Sequence, residues 1–157
     1  MLFRSAVSRN RALLKRALDL PMAPQWLRQV HGIAVVDARA DAVVREGDAA
    51  WTDVPGLACA VLTADCLPVV VAARDGREVA VAHCGWRGLA GGVLAATVSR
   101  FRARPEELSA WMGPAIGPSA FEVGEEVRAA FLAAQPGFPG TAIADAFTPL
   151  RSEEHHV

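Results

Sequence analysis

The chain has no uninterrupted apolar run of eighteen or more residues, so no segment reads as a bilayer-spanning helix. Positive charge is not in excess either. The 16 Lys plus Arg against 17 Asp plus Glu leave a formal net charge of −1, which gives a nucleic-acid backbone little to hold. Lysine is reduced to Lys15, the remaining cations being arginine. Cysteine is scarce and odd in number, Cys59, Cys66 and Cys84, and no secretory signal peptide is recognisable. A disulfide framework is therefore not expected, and reduced thiols in a cytoplasmic setting are. What is abundant is apolar: 52% of the 157 residues, enough for one soluble domain with a real core.

The N-terminal eighteen residues carry Arg4, Arg9, Arg11, Lys15 and Arg16 with no acid. That pattern fits a transit peptide, but Leu13, Leu14, Ala17 and Leu18 form a stripe that favours an ordinary first helix continuing into the domain. Ser8 is placed to cap this helix, which should run to about Leu18 before Pro21 and Pro24. An extended piece, Gln25 to Val30, leads to His31 and Gly32. Ile33 to Asp37 reads as a short strand, and Asp41 to Asp48 as a polar stretch. Leu57–Thr63, Leu67–Ala73 and Glu78–Ala82 are read as three central strands, the first two as continuous apolar runs buried on both faces. After Gly85-Trp86-Arg87-Gly88 the period changes to 3.6, with Leu89, Val93, Thr97 and Phe101 on one helical face. Leu108–Met112 is expected as strand, 113–118 as a rigid loop and Glu125–Ala134 as a last helix.

Three segments place unusual side chains beside glycine or proline where a strand ends: Gln29-Val30-His31-Gly32, Ala64-Asp65-Cys66-Leu67-Pro68 and Ala82-His83-Cys84-Gly85-Trp86-Arg87-Gly88. Two imidazoles and a thiolate suit Zn²⁺, with a fourth position left open for catalysis. The separations are long, so the spacing equally allows a buried hydrophobe at Cys66 and backbone-bonded imidazoles. Cys84, adjacent to His83 in a strand, should point to the opposite face and into the core, and Cys59 is assigned to the core as well. Trp51 and Trp111 are also placed in the core, whereas Trp86 is read either as a core plug or as a stacking platform for a planar ring.

The motifs QVHG, TADCLPV, HCGWRG, GPAIGP and FEVGEEV occur in this order, and together they resemble the laccase-domain family, which includes polyphenol oxidase-like and purine nucleoside phosphorylase-like proteins. The resemblance runs from about Ser8 to Phe131, and Phe147-Thr148-Pro149 extends it. It implies a mixed α/β fold, the family's layered α/β/β/α sandwich, and one catalytic Zn²⁺ on His31, Cys66 and His83. It also implies purine nucleosides and phosphate as small-molecule partners, through phosphorolysis of adenosine, inosine, guanosine or methylthioadenosine, or deamination of adenosine. Against the family pattern the chain lacks the strands and loop before the first helix and stops before a C-terminal helix and arginine-rich strand. It is therefore expected to be incomplete at both termini, a monomer or a weak homodimer through exposed sheet edges.

Within that reading, Arg87 is the anion binder, its fork lying between Gly85 and Gly88, and it counts as catalytic and substrate-binding. Asp65, beside Cys66, is the carboxylate placed to carry a proton in deamination, or else to orient a ligand. Trp86 and Asp48, the latter in a Gly-Asp-Ala segment, are assigned to the substrate side. Cu²⁺ is the alternative ion, for a copper-dependent polyphenol oxidase, although four histidines cannot furnish a trinuclear cluster. The same residues also admit a cysteine hydrolase with Cys66 as nucleophile and His83 as base, or a non-catalytic purine-binding remnant. His155 and His156 beside Glu153 and Glu154 read as a solvated terminal run, with a second metal site as the sharper option.

Overall fold

The computed structural model describes residues 2–134, in two compact units, Met1–Gly117 and Pro118–Val157. Phe147 to Pro149, His155 and His156 lie outside the described residues. The first unit contains helix α1 (Leu2–Ala17), a parallel two-stranded pair of β1 (Leu27–Arg28) with β3 (Arg45–Glu46), and a five-stranded sheet. That sheet is built from β2 (Val35–Asp37), β4 (Ala49–Thr52), β5 (Leu67–Ala73), β6 (Val79–Cys84) and β7 (Leu108–Met112) in the order β2-β4-β6-β5-β7. Only β2 and β4 run parallel; the other pairs are antiparallel. The architecture is the mixed α/β fold expected. In the second unit, helix α4 spans Glu125–Ala134, the bounds read from the sequence.

Helices α2 (Trp86–Gly91) and α3 (Val93–Val98) pack on one face of the sheet, against β6, β4 and β2. Period-2 alternation sends Ala49, Val69, Val71, Ala82 and Cys84 to that face, where Val93 meets them and Leu89, Leu94 and Phe101 close the rim. Each fully buried valine here contributes roughly 1.5–3 kcal/mol of transfer free energy. One helix was expected over this stretch, yet Gly92 at φ +98° breaks it in two. Glycine adopts the left-handed conformation without a Cβ clash, so the chain ends one helix and starts the next at a new angle.

The reading of Leu57–Thr63 as a central strand is corrected by the structure. Only an isolated bridge between Gln25 and Cys59 forms there, and Leu62 is 62% exposed. The backbone of this run is satisfied by other means. Gln25 N–H donates to Ala58 O at 2.8 Å and Ala60 N–H to Gln25 O at 3.1 Å. The Gln29 side chain then exchanges two hydrogen bonds with the Leu62 backbone, at 2.7 and 2.8 Å, as a neighbouring strand would. The central position belongs instead to β6, flanked by β5 and by β4, a strand not expected from the sequence.

Helix α1 begins at Leu2, so Ser8 lies inside it, and Leu13, Leu14 and Leu18 face solvent. Arg11 of this helix places its guanidinium 4.5 Å from the Trp26 ring centroid. Trp111, expected in the core, stands 60% exposed on the edge strand β7. Trp51 and Cys59 are half-buried, while Cys84 is buried as expected.

A candidate metal centre

Strand β6 ends where both of its antiparallel neighbours begin, with Ala82 opposite Ala49 and Cys84 opposite Leu67. The residues just before β4 and β5, and the last ones of β6, therefore share one end of the sheet. These are Asp48, Cys66 and His83. His31 reaches the same end on the turn after β1, through backbone atoms that Asp48 holds.

The three predicted ligands converge. One donor atom from each of His31, Cys66 and His83 lies within 4.8 Å of the others, and Cys66 Sγ is 3.9 Å from His31 Nε2. The two imidazoles meet edge to face, with centroids 4.8 Å apart and planes at 74°. Tetrahedral zinc with nitrogen and sulfur ligands needs donor separations of about 3.3–3.8 Å, so the trio fits the ion with a small inward adjustment. His83 is buried, Cys66 half-buried and His31 exposed, so the site opens on the His31 side.

Asp48 is fully buried, and its carboxylate accepts four hydrogen bonds. Oδ1 takes His31 N–H at 2.9 Å and His83 Nδ1 at 2.9 Å; Oδ2 takes Val30 N–H at 3.1 Å and Gly32 N–H at 2.7 Å. Burial alone would push the Asp48 carboxyl up. The His83 bond and the three backbone donors outweigh it and hold the group below its usual range. Asp48 therefore lies beneath the three side chains, with both of its oxygens occupied by protein donors.

Two glycines make the convergence possible. A Cβ on Gly85 would stand 2.6 Å from His31 Cδ2 and 3.1 Å from Cys66 Sγ. One on Gly88 would stand 2.8 Å from Gly32 O, so its absence lets α2 lie against the His31 turn. His31 itself has φ +60°, a conformation that costs a non-glycine residue about 1–2 kcal/mol. Neither the placement of Asp48 nor the need for Gly85 was read from the sequence. The clustering of Gly-Asp and Cys-Gly dipeptides at strand ends was the available signal.

Arg87 is exposed, its guanidinium 4.3 Å from the ring centroid of its half-buried neighbour Trp86. No carboxylate among the described residues forms an ion pair with it. One face of Trp86 is thus taken by Arg87. Asp65 is exposed; its backbone carbonyl accepts Ile116 N–H at 3.0 Å, and its carboxylate has no partner among the described residues. Burial pushes the Cys59 thiol up to about 12 and, with a lesser contribution from Cys66, the Cys84 thiol up to about 11.

The family pattern for multi-copper polyphenol oxidoreductase laccase matches residues 4–155. A purine nucleoside phosphorylase of Xylella fastidiosa is 54% identical over 137 residues, 83% of this chain and 53% of that protein. Purine nucleoside phosphorylase YfiH of Escherichia coli is 54% identical over 128 residues, 81% of this chain and 53% of its own length. Among solved structures, Neisseria meningitidis protein NMB0706 superposes with a TM-score of 0.83 at 44% identity, covering 94% of this chain and 59% of the other. The chain spans about half the length of the curated relatives it matches. With the motifs of its sequence and nearly its whole length matched, the chain belongs to the multi-copper polyphenol oxidoreductase laccase family.

Proposed function

We propose that this chain carries the zinc centre and the phosphate-binding arginine of a purine nucleoside phosphorylase. The observation that carries the reading is the convergence of His31, Cys66 and His83 within 4.8 Å at an open sheet end, in a chain 54% identical to proteins so named. Zinc, when bound, would supply Lewis acidity at the open face of the site. Cu²⁺ would suit the same donors. Among the described residues, however, this is the one such cluster, and a multi-copper oxidase needs several.

In phosphorolysis a phosphate oxygen bonds to C1′ of the ribose while the glycosidic bond breaks and the purine leaves with the electron pair. The dianion must be held in place for this. Arg87 offers a guanidinium fork not engaged by any described carboxylate, with its central carbon 4.3 Å from the Trp86 ring centroid. Asp65, with its free carboxylate next to Cys66, is assigned to proton transfer at the purine amine in a deaminating branch.

A thiol hydrolase is the second reading, favoured by the Asp48–His83 pair, which orients an imidazole within 4.8 Å of Cys66. It leaves His31 without a role, whereas metal binding uses both imidazoles.

Elemental analysis of the purified protein, with Cys66→Ser alongside and an assay of adenosine and inosine with phosphate, tests the reading. About one zinc per chain and release of free purine, both lost in the variant, is the expected result. Zinc without product would leave a metal-binding protein that does not turn over, and no metal at all would overturn the zinc reading and favour the thiol hydrolase.

A further inference from the structure

We infer that Asp48 is the positioning residue of the centre: one carboxylate fixes which nitrogen His83 offers and where the His31 imidazole stands. The inference rests on the metal reading of the site and assigns a role to a residue that would touch neither ion nor substrate.

An ionised carboxylate only accepts, and Asp48, fully buried, accepts four times. His83 Nδ1 faces Oδ1 at 2.9 Å, so Nδ1 carries a proton, and Nε2 is the nitrogen left to bind an ion. The second effect runs through the backbone. Three successive N–H groups, those of Val30, His31 and Gly32, point into the same carboxylate, a concave arrangement that needs a left-handed residue within it. His31 is that residue, at φ +60°. The strain is offset by hydrogen bonds to a charge, and the outcome is an imidazole turned toward Cys66. Two ligands from segments more than fifty residues apart thus depend on one side chain.

Asparagine cannot replace it. With Oδ1 kept toward His83 and His31, the amide NH₂ would face the Val30 and Gly32 donors. With the amide flipped, NH₂ would face His83 Nδ1, which must then accept, moving the imidazole proton to Nε2 and removing the ligand atom. Either orientation disorganises one of the two histidines.

The test compares wild type with Asp48→Asn by Zn²⁺ competition against a chelating dye and by the visible spectrum of the Co²⁺-loaded protein. Circular dichroism checks that the variant folds. Zn²⁺ affinity should fall about 10–100-fold, with an altered Co²⁺ ligand-field band. Affinity within about twofold of wild type and an unchanged spectrum would overturn the inference. If Asp48→Asn does not fold, ¹⁵N NMR of the wild-type histidines above their titration range decides instead. His83 should be Nδ1-protonated with and without Zn²⁺, and an Nε2-protonated His83 sinks the inference. Wild type that binds no Zn²⁺ would defeat the proposed function, while the NMR tautomer would still judge the role of Asp48.

Discussion

At the residue scale, the centre is defined as much by missing atoms as by ligands. His31 and Cys66 approach to 3.9 Å only because position 85 carries no Cβ. In Gly85→Ala the new methyl would sit 2.6 Å from the His31 ring, closer than real Cβ atoms come. His31 is exposed and can swing outward, so relief comes from ligand displacement and not from loss of the fold. The expected outcome is Zn²⁺ affinity reduced by tenfold or more, as for other disturbances around metal ligands, with unchanged far-ultraviolet circular dichroism. Isothermal titration on the two proteins measures it, and an alanine variant that binds Zn²⁺ as wild type does would show that the turn adapts without cost.

At the element scale, what was legible depended on whether a segment's own pattern decided its structure. Leu67–Ala73 and Leu108–Met112 were readable to the residue, because both lie between turn formers and are long enough for their apolar content to register. Ala49–Thr52 was not: two alanines, a tryptophan and a threonine carry little β signal, and their place between β2 and β6 comes from tertiary pairing. Leu57–Thr63 failed in the opposite sense. Its apolar run satisfies its backbone through Gln25 and the Gln29 side chain, a partner that no periodicity reveals. The ligand trio was legible from motifs, whereas Asp48's place beneath it required the register of β4 against β6. The helix break is likewise local: Gly92 has open space around its Cβ position, so Gly92→Ala meets only backbone strain at φ +98°. A destabilisation of about 1–2 kcal/mol is expected, read by urea titration. Gly117→Ala, also with open space and no positive φ, serves as the neutral control. Equal stability of the two variants would mean that α2 and α3 can fuse into one helix.

At the scale of the whole molecule, all three ligands, Asp48 and Arg87 belong to the first unit, Met1–Gly117. The ligands come from three stretches whose closure, from residue 31 to 83, restrains a long loop containing β2 to β6. An ion bound there is linked to folding, because the unfolded chain does not hold the three donors together. At a free Zn²⁺ concentration one hundred times the dissociation constant, the linkage amounts to about 2.7 kcal/mol. Thermal unfolding of the protein should therefore shift upward on adding Zn²⁺ and return on chelation. Cys66→Ser should show no shift, since it replaces the thiolate with a hydroxyl that binds zinc poorly. The same comparison separates a specific centre from general metal adhesion: a shift of equal size in Cys66→Ser would mean that the ion stabilises the chain through other side chains, and the convergence at the end of β6 would then have no energetic consequence.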